Sequence, residues 1–321
     1  MRKATKIWLI VAASLLLVGL MIFGSVMTML AWDFSKLSTV KYEENTYPIG
    51  EKFTNIFIVS DTADIVFVPT EDAQGKVVCL DQSKVKHSVT IKDDTLIIKL
   101  NDTRRWFEHI GIGFGTSKIT VYIPRAEYGA LQIKSHTGNV TIPADFSFDS
   151  MDISQSTGHV TNYASVLNAM KIKTSTGNIS VNKVSAGTMH LSVTTGKVIA
   201  SDVSCTGNVE VRVNTGDARL TNISCSGFSS SGNTGELFLK NVIAQEAFTI
   251  VRSTGDVEFD DCDADTLWIK TDTGDVEGTL RSAKIFMTKT DTGEVEVPKT
   301  TTGGVCQITT DTGDIEIRIS K

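Results

Sequence analysis

From residue 131 onward, a Thr-Gly pair recurs at intervals of 19 or 20 residues. A fixed period of this size over ten copies is typical of proteins built from stacked repeats. Three of the pairs lie in Asp-Thr-Gly triplets, which also occur in aspartic proteases, but here the triplets are ordinary members of the series. The ten glycines are Gly138, Gly158, Gly177, Gly196, Gly216, Gly235, Gly255, Gly274, Gly293 and Gly313.

Apolar and polar residues alternate on both sides of each glycine. In the first repeat, Leu131 and Ile133 precede Gly138, and Val140 and Ile142 follow it. This period of two predicts two short strands per repeat, each with one buried face. If the repeats stack in parallel, equivalent residues lie above one another about 4.8 Å apart. The sequence therefore predicts an all-β fold, a β-solenoid of 19–20 residues per coil that resembles a parallel β-helix.

The segment before the first Thr-Gly pair carries the same pattern in weaker form. Residues 56–69 match the repeat, with Ala63 in place of the corner glycine, and are interpreted as a degenerate first coil. The strand patterns within 70–130 predict a β insertion that caps the open end of the solenoid, since an open end exposes unpaired strand edges. The predicted divisions are a cytoplasmic end (1–6), a transmembrane helix (7–32), a linker (33–52), the first coil with its cap (53–130) and the solenoid (131–321).

Residues 7–32 contain no charged residue, and this length is sufficient to cross a bilayer as a helix. A cleavable signal peptide is the alternative, but it would have a shorter apolar region followed by a small-x-small cleavage site. An uncleaved, single-pass anchor is favoured for that reason. Arg2, Lys3 and Lys6 precede the span and Asp33 follows it, which predicts an extracytoplasmic C-terminal body.

The charge of the chain argues against nucleic-acid binding. The net charge is −6, and residues 131–321 hold 16 Lys and Arg against 23 Asp and Glu. Binding to nucleic acid requires a basic face. No motif for a cofactor is found either, and none is predicted.

Asp272, Asp291 and Asp311 begin the three Asp-Thr-Gly triplets. An aspartic protease brings two such aspartates together so that they share a proton, whereas stacking would place these three in an exposed column. The same column suggests a cation site, because Asp275, Glu294 and Asp314 directly follow the corner glycines and add three more carboxylates. Calcium takes six to eight oxygen ligands. The alternative is that these are solvated turn residues.

One loop departs from the alternation. Residues 101–118 combine arginines and aromatic residues with three glycines, a composition typical of contact surfaces. The loop is a candidate contact with the membrane or a partner, and the alternative is that its aromatic side chains cover the end of the solenoid. The candidate residues are Arg104, Arg105, Trp106, Phe107 and Phe114.

The cysteines and histidines give no catalytic or zinc motif. The repeat places Cys205 and Cys225 in a column otherwise filled by alanine, which predicts buried thiols rather than a disulfide. The five scattered histidines are not expected to assemble a Ser-His-Asp set or a Cys-His pair.

Together, the apolar span, the stretch "SDTADIVFVP", the insertion ending in "ITVYIP" and the tandem Thr-Gly units resemble a family of bacterial β-strand-repeat proteins. Its members are known as candidate adhesins and as a domain of unknown function. The resemblance covers most of the chain after residue 50. It implies a protein of the bacterial cell envelope, in some members linked to envelope-stress regulation of the Lia type, and it gives no catalytic residues.

Short coils with tight corners leave no long loops from which to build a substrate pocket. The sequence therefore predicts a membrane-anchored, non-enzymatic, adhesin-like protein that contacts a cell-wall polymer or an envelope protein. One alternative is a sensor or regulatory module that acts on a membrane partner, and a further one is a carbohydrate-active β-helix enzyme.

Overall fold

The computed structural model describes residues 3–37, 40–105 and 116–320. Within them, one α-helix, one 3-10 helix and 25 strands follow one another along the chain. The strands form one continuous sheet. The bounds are α1 Lys3–Met29, the 3-10 helix Phe34–Leu37, β1 Tyr42–Pro48, β2 Asn55–Thr70, β3 Lys76–Gln82, β4 Val85–Lys92, β5 Thr95–Asp102, β6 Ser117–Pro124, β7 Glu127–Thr137, β8 Val140–Ile142, β9 Ser147–Thr157, β10 Val160–Asn162, β11 Ser165–Thr176, β12 Ile179–Thr195, β13 Val198–Cys205, β14 Val209–Thr215, β15 Ala218–Cys225, β16 Phe228–Thr234, β17 Leu237–Ala244, β18 Ala247–Thr254, β19 Val257–Cys262, β20 Thr266–Lys270, β21 Val276–Leu280, β22 Lys284–Thr292, β23 Val295–Glu296, β24 Gly304–Thr312 and β25 Ile315–Ile319.

The repeats stack as parallel coils, which confirms the predicted β-solenoid. Each strand pairs with the equivalent strand of the next coil, as β14 does with β16 and β13 with β15. Equivalent residues are in register, so the apolar column that contains Val209 continues into Phe228 and then Phe248. These columns form one core along the solenoid.

The corner glycines are required by close contact as well as by backbone conformation. Gly216 has a φ of 122°, and a Cβ on it would lie 1.9 Å from the carbonyl oxygen of Gly196 in the preceding coil. No side chain fits at that distance, and L-residues avoid this φ. The corner glycines therefore let neighbouring coils approach to the spacing of a β-sheet.

In five consecutive coils a second corner lies six residues after the glycine, where Lys183, Asp202, Asn222, Asn241 and Asp261 adopt positive φ. Asp202 has a φ of 53° and Asn222 a φ of 55°. Asn222 Nδ2 donates to Asp202 Oδ1 at 2.8 Å, and Asn241 Nδ2 donates to Asn222 Oδ1 at the same distance. Short amide and carboxylate side chains tolerate this conformation and bond locally.

At the N-terminal end, the order of the coils in space differs from their order in the chain. The two halves of β2 pair on one side with β7 and β8, and on the other with β5 and β6. The coil formed by β5 and β6 therefore lies outside β2 although it follows β2 in sequence. Strands β3 and β4 pair antiparallel with β6 and β5, which ends the parallel stacking, and β1 adds to β3.

The C-terminal end shows the same inversion. Strand β24 pairs with β20 on one side and with β22 on the other. Strand β25 likewise lies between β21 and β23. The last coil of the chain is therefore inserted between the two coils that precede it, and the coil of β22 and β23 forms the end of the solenoid. The repeat pattern does not fix the order of these three coils, because all of them carry the same pattern and any order satisfies it.

The inserted coil can be tested with engineered cysteine pairs. Thr273 is opposite Thr312 in the parallel register, whereas Thr292 lies one coil further away. Adjacent strands place Cα atoms about 4.8 Å apart, within reach of a disulfide, while two coils place them roughly 9.6 Å apart, beyond reach. We expect Thr273→Cys with Thr312→Cys to form a disulfide on oxidation, and Thr273→Cys with Thr292→Cys to remain reduced on non-reducing gels. The opposite pattern would show stacking in sequence order.

Candidate functional site

The glycine corner carries an exposed column of eleven threonines, here called the threonine column. Ten of its residues belong to the Thr-Gly pairs, and Thr62 of β2 continues the column to the N-terminal side. Every residue of the column is exposed, and each is in register with the next. In spatial order, the column consists of Thr62, Thr137, Thr157, Thr176, Thr195, Thr215, Thr234, Thr254, Thr273, Thr312 and Thr292.

The six carboxylates predicted as a cation site lie along this same corner. Their spatial order follows the inserted coil, so Asp311 lies between Asp272 and Asp291, and Asp314 lies between Asp275 and Glu294. Asp272 and Asp291 each have a nearby lysine, and Lys289 Nζ lies 2.8 Å from Asp291 Oδ1. All six carboxylates are exposed.

The residues that follow the corner glycines have a structural role. Asp275 Oδ1 accepts a hydrogen bond from the backbone N–H of Asp314 at 2.8 Å, and Asp314 Oδ1 accepts one from the N–H of Glu294 at 2.8 Å. Asn139 and Asn178 make the same contact in earlier coils. These side chains therefore satisfy backbone donors of the neighbouring coil. In the described part of the chain, only Cys79, Asp81 and His87 bring three candidate metal-ligand atoms within 4.8 Å of one another, and the cation column stays a prediction.

A further acidic column was missed in the sequence. Glu258, Glu277, Glu316 and Glu296 occupy consecutive coils in this spatial order. Burial raises the pKa of Glu277, and the neighbouring carboxylates, Glu258 first among them, raise it further. The sequence signal is a glutamate three residues after the corner glycine, and it occurs only in the last four coils. The column adds to the negative charge of this end of the solenoid.

The predicted contact loop lies mainly outside the described residues. Trp106, Phe107 and Phe114 are among those the structure does not describe. Arg104 is described, and its Nε and Nη2 atoms donate to the carboxylate of Asp102 at 3.0 and 2.5 Å. This hydrogen bond raises the pKa of Arg104. Arg105 is the last described residue before the gap, and the proposed partner contact of this loop stays a prediction.

The structure assembles a Ser-His-Asp arrangement, contrary to the expectation from the sequence. His87 Nδ1 lies 2.7 Å from Asp81 Oδ1, and His87 Nε2 lies 3.1 Å from Ser60 Oγ. The backbone N–H of His87 also donates to Asp81 Oδ2 at 2.7 Å. The exposed fractions are 3% for Ser60, 0% for Asp81 and 2% for His87, so a substrate has no direct access to the serine. The set has no sequence signal, because Ser60 lies in the first coil on β2 whereas Asp81 and His87 lie on β3 and β4, outside the repeats.

All five cysteines are buried and free, as the column positions of Cys205 and Cys225 indicated. Burial raises the pKa of Cys205 to about 11 and that of Cys225 to about 12. A thiol needs to ionise to react, so these two act as small core residues. Cys79 differs from them, because it lies beside Asp81 and His87.

These features define the class of protein: a parallel β-solenoid with glycine corners, capped at one end by antiparallel strands. The family model described as Toastrack DUF4097 matches residues 53–226 and 206–321, which together are more than half of the chain. The chain belongs to the Toastrack DUF4097 family. This membership confirms the resemblance to a β-strand-repeat family of unknown function.

The chain is also similar to solved structures of low sequence identity. A candidate adhesin from Bacteroides fragilis is 12% identical over 87% of this chain and 97% of that chain, with a TM-score of 0.42. A candidate adhesin from Parabacteroides distasonis is 12% identical over 86% and 97%, with a TM-score of 0.48. A candidate lipid-binding protein from the same organism is 13% identical over 87% and 97%, with a TM-score of 0.42. These likenesses are too remote to carry an argument. No curated protein matches the chain.

The glutamate column predicts a pH-dependent stability. The pKa of Glu277 is raised in the folded state. Its contribution to the free energy of unfolding is therefore fully present below the unfolded pKa of about 4.3, and it is lost as the pH rises through the folded-state pKa. Replacing Glu277 by Gln removes the repulsion, so we expect the free energy of unfolding at pH 7 to increase by about 0.2–1 kcal/mol after allowance for solvent screening. Urea unfolding at pH 7 and at about pH 4 measures this, and the gain should vanish at the lower pH.

Glu127→Gln is the matched control, since Glu127 is an exposed strand residue whose registered neighbour is Ser147. It should leave the stability at pH 7 unchanged. An equal gain in both variants, or a gain from Glu277→Gln that persists at low pH, would contradict repulsion within the column.

Proposed function

We propose that this Toastrack protein is anchored in the cell membrane by α1 and presents its solenoid outside the cytoplasm as a non-enzymatic, adhesin-like interaction protein. Support for the anchor comes from residues Thr5–Met29, a helix that is long and apolar enough to cross a bilayer. Its large apolar residues are exposed, and Leu16, for example, is 69% exposed. A helix with this much exposed apolar surface needs an apolar surrounding.

The threonine column is the observation that carries the proposed interaction. It repeats one hydroxyl and one methyl group at the coil spacing of about 4.8 Å. The regular spacing suits a ligand that is itself extended and repetitive, and hydroxyl groups donate and accept hydrogen bonds, as sugar hydroxyls do. A polysaccharide of the cell wall has both properties. The acidic end of the solenoid adds a region that favours cationic groups on the polymer or a partner.

The non-enzymatic part of the proposal is supported by the placement of the reactive groups. The Ser60, Asp81 and His87 set is buried, and the aspartates of the triplets lie in separate coils. The second candidate, a sensor or regulatory module acting on a membrane partner, is favoured by the presence of α1 on the same chain as the solenoid, since a span can contact other spans. The two candidates predict different binding partners.

The threonine column can be tested by binding to purified cell wall. Thr176, Thr195 and Thr215 lie on three consecutive coils, and changing all three to Val removes the hydroxyls while keeping the β-branched shape. We expect the full chain in detergent to be retained by cell wall, and the triple variant to lose about tenfold in affinity, equivalent to about 1.4 kcal/mol. Sedimentation of cell wall with bound protein measures this.

The matched control lies on another side of the same coils. Ser185, Ser204 and Ser224 are exposed hydroxyl residues, and changing all three to Ala should leave retention unchanged. If both triple variants bind like the unchanged protein, the threonine column is not the contact surface. Recovery of one membrane protein in stoichiometric amount after crosslinking in cells, without retention on cell wall, would favour the regulatory alternative.

The anchor is tested by fractionation of the native organism. We expect the protein to stay in the membrane pellet after a carbonate wash, to keep residues 1–32 by intact mass, and to lose its solenoid when protease is added to cells without their wall. The physical reason is that extraction of α1 would expose its apolar side chains to water. A soluble chain that begins near residue 33 would show that the helix is a cleaved signal sequence.

A further inference from the structure

The cap cluster, consisting of Ser60, Cys79, Asp81 and His87, brings together side chains from three strands. Ser60 lies on β2, Cys79 and Asp81 on β3, and His87 on β4. Cys79 and Asp81 are 0% exposed, and His87 is 2% exposed. One ligand atom from each of Cys79, Asp81 and His87 lies within 4.8 Å of the other two. A thiol, a carboxylate and an imidazole therefore converge in the interior of the cap.

We infer that Cys79, Asp81 and His87 form a binding site for a divalent transition-metal ion of the zinc class, which joins strand β3 to strand β4 within the cap. Sulfur, imidazole nitrogen and carboxylate oxygen are the protein ligands that zinc uses. Magnesium and calcium prefer sites made only of oxygen. The donor set therefore selects the class of ion.

The charges of the site balance. A divalent ion bound by the Cys79 thiolate and the Asp81 carboxylate gives a net charge of zero, as burial requires. On binding, the bond between sulfur and hydrogen breaks, a bond between sulfur and metal forms, and one proton leaves to solvent.

The hydrogen bonds around the cluster already orient the ligands. The backbone N–H of His87 holds Asp81 Oδ2, which leaves Oδ1 facing the imidazole. An ion on Nδ1 places the ring proton on Nε2, where it can donate to Ser60 Oγ at the existing separation of 3.1 Å. Metal-bound histidines usually donate their second ring N–H in this way. The separation of 2.7 Å between Nδ1 and Oδ1 would widen to roughly 3.3 Å around a tetrahedral ion with bonds near 2.0–2.2 Å.

Neighbouring contacts tie the site to the rest of the cap. Tyr47 of β1 donates through its hydroxyl to the backbone carbonyl of His87 at 2.8 Å. The site therefore connects β3 and β4 with β1 through Tyr47 and with β2 through Ser60. An ion at this position would hold together the strands that cover the N-terminal end of the solenoid.

Cobalt is a suitable probe, because a thiolate bound to Co²⁺ gives a charge-transfer absorption. Because the site is buried in the folded protein, the ion has to be introduced during refolding. The detergent-solubilised full chain is first unfolded, then freed of metal with a chelator, and finally refolded with Co²⁺. We expect one Co²⁺ per chain, a thiolate-to-cobalt band, and a melting temperature higher than that of protein refolded without metal. Absence of the band in correctly refolded protein at saturating Co²⁺ would overturn the inference.

Cys306→Ala is the matched control for Cys79→Ala, because Cys306 is also 0% exposed and the same atoms are removed. The control should keep the band and the rise in melting temperature, whereas Cys79→Ala should lose both. Cys79→Ser preserves the shape of the site and serves if the alanine variant does not fold; it too should lose the band. A band of unchanged intensity in a folded Cys79 variant would place the ion elsewhere and overturn the inference.

Discussion

The close approach of one coil to the next at the glycine corner is the constraint on which the solenoid depends. At Gly177, a Cβ would lie 2.0 Å from the carbonyl oxygen of Gly158, and the corresponding contact at Gly196 is 1.9 Å. Only a residue without a side chain allows the backbones to meet there. Once they meet, every strand on either side is held in register, and the exposed threonine column and the buried apolar columns both follow from that register.

The same register explains what the sequence could and could not predict about the fold. Alternation around each glycine identified the strands and the buried columns, because a period of two fixes which side chains face inward. The order of the last coils was not predictable, since the patterns around Gly274, Gly293 and Gly313 are equivalent. The second corner at residues such as Asp202 and Asn222 was missed, because a polar residue with positive φ looks like any exposed residue in a sequence.

The candidate sites also include one that the sequence could predict and one that it could not. The carboxylates near Asp272 and Asp275 were placed on one corner by counting from the glycines, although their role in bonding backbone N–H groups needed coordinates. The cap cluster could not be found by counting, because Ser60 belongs to a repeat and His87 belongs to the inserted hairpin. Contacts between a periodic and a non-periodic segment carry no sequence signal, so a search for short motifs passes over them.

The inserted C-terminal coil has a consequence for synthesis. Strand β22 pairs with β24, which is made after it, so the coil of β22 and β23 has no place in the final stack until residues 304–319 have left the ribosome. The chain therefore cannot complete its solenoid by adding coils one after another from the N-terminus. A nascent protein that stalls before residues 304–319 are made would expose strand edges that the folded solenoid covers, and edges of that kind are recognised by chaperones and proteases.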